Sequence, residues 1–386
     1  MAAIIKKPDL EQKLSLLSRD AQYDLACACN VSGEQSRRPG SDGNWIYPAT
    51  LPEGGRSLLF KTLLTNSCTN DCKYCPLRGV MGGQRFSLSP ERISSVFMDY
   101  LRQGKVHGLF LSSGVQRSPD FAMQRLIDTA EILRKRHRYR GYIHLKIIPG
   151  ASAAAIEKAV SLSSAVSLNI ETAGEENFRR LSSRKDYLRD IVQPLKQINE
   201  LTSAGGRYSR VKQTTQFIVG ASEEKDSELL AYMQRLYDNM NMHRIYFSAY
   251  QKGLGSPDLP GESNPATANQ LRLREHRLYQ ADYLFRIYGF KASEIPLLKD
   301  GSMPAEKDPK LAWANQHPES FPVDVNSAGK TELLRVPGIG PAAAKRIIQR
   351  RKQERLRALS DISKSPAVQS RACQYVTFSG RRASLF

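Results

Sequence analysis

A chain of 386 residues, 40% of them hydrophobic, is long enough for one large α/β domain and a smaller module. It carries 57 Lys and Arg against 38 Asp and Glu, a formal net charge of +19, which points to polyanionic partners. Six cysteines in a chain of this length are no disulfide framework. No run of about 18 apolar residues marks a transmembrane helix, and the N-terminus turns charged too soon for a secretion signal. A reducing, cytoplasmic setting with no membrane partner is therefore expected.

Residues 1–55 read as an N-terminal cap, a helix over about 9–25 and then a polar, Gly/Pro-rich loop. Cys27 and Cys29 fall in this cap and read as ordinary thiols, since two ligands are too few for a cluster. From 56 to 299 strands alternate with helices. The strands are Ser57–Thr65, Val106–Ser113, Tyr142–Ile148, Ala165–Ile170, Gln213–Val219 and Arg244–Tyr250, mostly unbroken apolar runs of the kind buried parallel strands show. The helices are Pro90–Gln103, Phe121–Arg138, Ala151–Ser161, Asp186–Ser203, Glu223–Asn239 and Leu271–Tyr288. Six such pairs predict an α/β fold, a partial (β/α)6 TIM-like barrel with right-handed crossovers. Functional groups in barrels of this kind sit at the C-terminal ends of the strands. That rule gathers Cys68, Ser112, Ser113, Lys146, Glu171, Gly220 and Tyr250 around one mouth.

Residues 300–320, rich in Pro and polar side chains, read as a linker, and 321–386 as a small all-α basic module. Residues 322–386 hold thirteen Lys and Arg against four Asp and Glu, almost half of the excess charge in a sixth of the chain. A second basic run, Arg134–Arg140, falls at a helix end, where cations are favoured on dipole grounds alone; a second phosphate-contacting patch is the alternative.

Cys68, Cys72 and Cys75 form a C-x3-C-x2-C triad on a loop directly after the first strand. Three thiolates can hold three irons of a cubane and leave the fourth iron open to a chelating ligand. Zinc and three unrelated buried thiols are the alternatives. Zinc takes four Cys or His ligands, commonly in two pairs, and no second pair lies nearby.

With this triad at the head of a six-stranded barrel, residues 56–290 resemble the radical S-adenosylmethionine (SAM) superfamily. The resemblance implies a [4Fe–4S] cluster on the three cysteines, SAM chelated to its open iron, and reductive cleavage of SAM to a 5′-deoxyadenosyl radical that abstracts hydrogen. It also implies a flavodoxin- or ferredoxin-type electron donor. Tyr74 takes the aromatic position that packs on adenine. Ser112-Ser113-Gly114 stands where the superfamily places Gly-Gly-Glu, whose carbonyls receive the SAM amino group; the acidic residue is absent here. Asn169 and Glu171, on one face of the fourth strand, fall where polar groups meet the ribose and carboxylate of SAM. Lys185, with Arg184, follows in the next loop, and Gly220 ends the adenine-packing fifth strand. Satisfied loop polar groups and a plain buried strand are the structural alternatives for these positions.

In the C-terminal module, Asn326 reads as the N-cap of a helix Ser327–Arg335, Val336–Gly340 as a tight turn, and Ala342–Arg350 as a second helix. Gly338, Ile339 and Gly340 present backbone N–H groups at a helix start, and Lys345 and Arg346 lie one turn further on. The segment resembles the helix-hairpin-helix motif, which implies sequence-independent contact with DNA or RNA phosphates; a hairpin used for packing or protein contact is the alternative. Residues up to Phe386 read as a degenerate second half, with Ser365-Pro366 in place of the glycine turn.

Taken together, LFLSSGVQRSPDF, YIHLKIIPGAS, SLNIETA, TTQFIVGA and the hairpin resemble bacterial radical SAM proteins assigned to DNA modification or repair. That resemblance implies DNA as substrate and a partner protein similar to uracil-DNA glycosylases. A radical SAM enzyme acting on RNA or tRNA, and a non-catalytic iron–sulfur protein that binds or senses DNA, are the competing readings.

Overall fold

The computed structural model describes residues 8–21, 46–50 and 56–383. Cys27 and Cys29 lie outside the described residues. The chain divides into two compact units, one of Met1–Glu224 with Arg235–Glu275 and the other of Lys225–Gln234 with His276–Phe386.

The first unit opens with α1 (Leu10–Asp20), closed at its start by a capping box between Asp9 and Gln12. β1 (Ile46–Thr50) runs antiparallel to β2 (Arg56–Leu63). Then follow α2 (Pro90–Arg102), β3 (Gly108–Ser112), α3 (Pro119–Glu131), β4 (Tyr142–Lys146), α4 (Ala153–Leu162) and β5 (Ala165–Ser167). α5 (Glu175–Leu181), α6 (Gln193–Thr202), β6 (Lys212–Val219), α7 (Asp226–Asn239), β7 (Arg244–Ala249), α8 (Pro260–Ser263) and α9 (Ala268–Tyr283) complete the series, the first residues of α7 and the last of α9 falling to the second unit. The sheet keeps chain order from β1 to β7, and β2 to β7 are all parallel, so six strands curl into the half-barrel that the alternation predicts.

Local chemistry explains the helix starts. Ser89, Ser118 and Ser152 each stand in extended conformation just before a helix and accept the N–H of Arg92, Phe121 and Ala155. Such caps contribute about 1 kcal/mol each. Leu109, Leu111, Ile143 and Leu145 are fully buried, as are Ile93, Phe97, Met123 and Leu126 on α2 and α3. Strand alternation leaves Phe110, Ser112, His144 and Lys146 on the opposite face. The register sets Leu63 beside Ser112 and Lys146 beside Ser167, a row at the C-terminal rim.

The second unit departs from expectation in two places. Residues 300–320, read as a linker, contain α10 (Pro309–Gln316). The proline that suggested a linker occupies the first helical turn behind an Asp308 cap, where its missing N–H costs nothing. Trp313 on α10 is buried against Phe290 and Phe321, with ring centroids 5.6 and 6.1 Å away. Beyond it come β8 (Val323–Asp324), α11 (Lys330–Arg335), α12 (Pro341–Arg350), α13 (Leu359–Ile362), α14 (Pro366–Ala372), β9 (Val376–Phe378) and β10 (Arg381–Arg382). The module is helical but also carries a small sheet of order β10-β9-β8, whose two- and three-residue strands are too short to show periodicity. Among the described residues no helix is long and apolar enough to cross a membrane.

Candidate functional site

β2 runs directly into the loop that bears the three cysteines, and the end of β3 holds that loop. Leu64 N–H donates to Ser112 O (2.9 Å), Gly114 N–H to Thr65 O (2.7 Å) and Thr69 N–H to Val115 O (2.8 Å). The approach at Gly114 is so close that a Cβ there would stand 2.4 Å from Ser67 O. Asn66, 1% exposed, donates from Nδ2 to Asp20 Oδ2 (2.7 Å) and Gln84 O (2.9 Å), and its Oδ1 accepts Phe86 N–H (2.7 Å). Buried Arg78 donates to the carbonyls of Cys75 (3.0 Å), Leu254 (2.9 Å) and Gly255 (2.9 Å). On the far side, Asp71 accepts from Ser182 Oγ (2.5 Å), Ser183 Oγ (2.6 Å) and Ser183 N–H (2.9 Å), and Arg184 donates to Thr69 O.

The cysteines open on a cavity of about 150 Å³ at the C-terminal rim of the half-barrel. Ser112, Ser113 and Gly114 from the end of β3, Lys146 from β4, Asn169 and Glu171 after β5, Tyr74 and Lys185 all line it. Gly220 does not. Its N–H donates to Glu224 Oε1 (2.7 Å), its φ is +82°, and a Cβ would come within 2.8 Å of Leu271 Cδ2. Backbone geometry accounts for that glycine. Asp20, Asn70 and Leu77 also line the cavity without having been singled out in the sequence.

Glu171 is the positive-φ residue of the site, at +69°. It is held there by its N–H on Gln216 O (3.0 Å) and by Ile218 N–H on its carbonyl (2.7 Å). Strain in a non-glycine residue persists only when its surroundings fix it, and it concentrates at functional sites. The Tyr74 hydroxyl bonds the Glu171 carboxylate, and the ring packs against Leu181, Ile218, Ala221, Tyr250 and Leu259. Burial, reinforced by the Glu171 charge, pushes the Tyr74 phenol well up. Burial likewise raises the Cys72 thiol, against the opposing pull of Lys185, and raises Cys75, with the Cys72 charge adding to it. Burial alone would lower the Lys185 ammonium. The charges of Cys72 and Glu171 and a hydrogen bond to Cys72 overcome it, so Lys185 is held charged above its ordinary range.

Among the described residues no three His, Cys, Asp or Glu side chains converge on a single ion. A cubane does not ask for that, since it takes one thiolate per iron. Asn169, which lines the cavity, has a buried Oδ1 with no partner. An unpaired acceptor of this kind is what a bound polar ligand satisfies. The three thiols, the half-buried Lys185 and this acceptor fit a thiolate-held cluster with a polar ligand beside it.

The second unit presents the hairpin. α11 begins at Lys330 behind a Gly329 cap, not at Ser327. Asn326, expected as that cap, instead bridges to Leu356, donating to its carbonyl (3.0 Å) and accepting its N–H (2.9 Å), because the Asp324 turn takes up the intervening residues. The turn closes by Ile339 N–H to Val336 O (3.1 Å). Gly338 has φ +87°, and a Cβ there would meet Val368 O of α14 at 2.9 Å, so both conformation and packing require glycine. Gly340 caps α12, with Pro341 as its first residue. Ile339 is fully buried, whereas Lys345 and Arg346 are exposed and make no ion pair among the described residues. α13 and α14, joined through exposed Lys364 and Ser365, form the second half.

Residues 62–236 match the Radical SAM superfamily, and residues 320–373 match the Helix-hairpin-helix motif. No curated protein matches the chain. Similar solved structures include methylornithine synthase (PylB), at 14% identity and a TM-score of 0.46 over 60% of this chain and 64% of that one. HydG, a maturase of the [FeFe]-hydrogenase, aligns at 11% identity and 0.44 over 81% and 79%. HydG from Carboxydothermus hydrogenoformans aligns at 16% and 0.47 over 59% and 52%. The chain thus spans somewhat under two thirds of the first of these.

Proposed function

From a radical SAM superfamily domain and a helix-hairpin-helix motif carried on one chain, we propose an enzyme that holds a [4Fe–4S] cluster on Cys68, Cys72 and Cys75, binds SAM beside it, and acts on DNA in modification or repair. The observation that carries the reading is the cavity at the half-barrel rim, where the three thiols meet Tyr74, Asn169, Glu171 and Lys185. A cluster of this type supplies one-electron cleavage of the SAM sulfonium bond to a radical that removes hydrogen from carbon.

The chain's own residues bind and orient. The Lys185 cation faces the SAM carboxylate. The Ser112 and Gly114 carbonyls already accept from Leu64 N–H and Ser113 Oγ, which leaves the Ser113 carbonyl and Asn169 Oδ1 for the SAM amino group. The Tyr74 ring offers its face to adenine, and Glu171, fixed by its backbone, takes the ribose hydroxyls. In the other unit the amides at the start of α12, with exposed Lys345 and Arg346, grip phosphates without reading bases. An electron carrier of the flavodoxin or ferredoxin class and a partner similar to uracil-DNA glycosylases complete the proposal.

The test is anaerobic. The protein is reconstituted with iron and sulfide, reduced, and given SAM with and without duplex DNA while 5′-deoxyadenosine is measured. Production that needs all three cysteines and rises with DNA supports the reading. Production indifferent to DNA but raised by tRNA moves the substrate to RNA. No production from a spectroscopically verified cluster removes the enzyme and leaves a binding or sensing protein.

A further inference from the structure

Lys310, on α10, is 7% exposed and lies behind the hairpin turn. Its Nζ donates to Ile339 O at 2.6 Å and stands 4.6 Å from the centre of the Tyr288 ring. A planar trans peptide points its carbonyl and its N–H in opposite directions. Fixing the Ile339 carbonyl inward therefore turns the Gly340 N–H away from the core, and that N–H has no acceptor among the described residues. We propose that Lys310 is the positioning residue of the nucleic-acid hairpin, its ammonium holding the Ile339–Gly340 peptide so that the Gly340 N–H meets a DNA backbone phosphate. The inference rests on the reading that this hairpin binds nucleic acid.

Two effects act together. The ammonium polarises the peptide it holds, which makes the Gly340 N–H a stronger donor, and its charge stands behind the donors that receive the anion. The cation is held under stress. Burial, with Arg371 and Arg335 adding repulsion and Asp308 opposing them, pushes the Lys310 pKa down to about 7. These are the charged groups facing it from its own helix start, from α11 and from α14, with Tyr288 as the ring beneath; Arg335 is itself paired with Glu294 and Arg371 with Asp308. A phosphate bound in front favours the charged form, so the pKa is higher in the complex. Affinity for DNA is then greatest below about pH 7 and falls as pH rises above it.

The experiment measures binding of the full chain to a fluorescein-labelled DNA duplex by anisotropy, at fixed salt, from about pH 6 to about pH 8.5. Four proteins are compared: wild type, K310R, K310M and K345E/R346E. Wild-type affinity should fall about threefold across that range. K310R, charged throughout, should bind tightly with a flat profile. K310M should bind about fivefold more weakly at low pH, also with a flat profile. Should K310M unfold, the K310R profile decides alone, since a permanent cation must abolish the wild-type decline. If K345E/R346E weakens binding while the Lys310 variants keep the wild-type affinity and profile, the hairpin reading stands and the Lys310 proposal falls. If K345E/R346E binds like wild type, the hairpin is not the contact and both fall.

Discussion

Gly114→Ala is the sharpest test of how the cysteine loop is held. The new Cβ would stand 2.4 Å from Ser67 O, 2.9 Å from Ser67 C and 3.2 Å from Thr65 O. All three atoms are backbone, so no rotamer change relieves the clash. Ser67 adjoins Cys68, and the Gly114 N–H bond to Thr65 O (2.7 Å) and the Thr69 bond to Val115 O (2.8 Å) bracket the contact. Overpacking costs about 1–3 kcal/mol, and weakening one or two flanking hydrogen bonds adds about 1 kcal/mol. At about 2–4 °C per kcal/mol, the unfolding temperature should drop by roughly 5–10 °C. Because the displacement falls on the ligand loop, iron and sulfide bound after anaerobic reconstitution should drop as well. Gly82→Ala is the control, since nothing lies within 4 Å of its Cβ and its φ is ordinary. Circular dichroism melts and metal analysis read both variants. If Gly114→Ala melted within about 1 °C of wild type and loaded the same iron, the bracing of the loop by β3 would be wrong.

Three further outcomes follow from the same geometry. Asn66→Ala leaves Phe86 N–H, Gln84 O and the buried Asp20 carboxylate without their partner, so denaturant unfolding should show a loss of about 2–4 kcal/mol. Lys185→Met removes the cation beside Cys72 and Glu171 but no cysteine. Equilibrium dialysis of the reconstituted protein should show SAM binding weakened about tenfold or more at unchanged iron content. Lys310 binds fewer protons folded than unfolded between about pH 7 and its ordinary 10.5, so folding stability should rise with pH across that window in wild type and not in Lys310→Met. Melting temperatures across that range decide it.

Much of this architecture is legible in the sequence because buried parallel strands write themselves as apolar runs. Val106–Ser113 and Gln213–Val219 both fall on strands within two residues of their ends. β1 escapes the same reading because Pro48 interrupts it, and a proline is tolerated there only because the strand lies at the sheet edge. α5 is seven residues long and α10 opens on a proline, so neither shows a helical period. At the site, spacing finds the cysteines that open on the cavity; Asn169 and Glu171, expected on one face of a strand to Ile170, instead reach the cavity from the loop after β5, which ends at Ser167. Spacing cannot find Asp20, Asn66 or the Arg78 bracket. Those contacts join residues 46 apart for Asn66 and Asp20, 111 for Asp71 and Ser182, and 176 for Arg78 and Leu254, and no local pattern encodes them. Gly220, expected as a ligand contact at a strand end, does not line the cavity, and its left-handed backbone and Glu224 bond give glycine a conformational reason to stand there.

The two units place their charges in opposite ways, and the difference has a measurable consequence. The half-barrel buries Glu171 and holds half-buried Lys185 beside Cys72, where fixed charges are screened by salt less than charges in open solvent. The hairpin unit leaves Lys345 and Arg346 in solvent, where the phosphate contact proposed for them would be governed by counterion release. Raising salt from about 50 to about 200 mM should therefore weaken duplex binding steeply, by about tenfold or more for the first few phosphates contacted. SAM cleavage without DNA should change less than about twofold over the same range. Any stimulation of cleavage by DNA should then disappear along the binding curve, not along the curve of the basal reaction. Stimulation that survived salt after duplex binding was lost would mean that DNA reaches the cavity by contacts other than the hairpin. The half-barrel would then have to carry its own phosphate-binding surface, with Arg134–Arg140 the first run to neutralise.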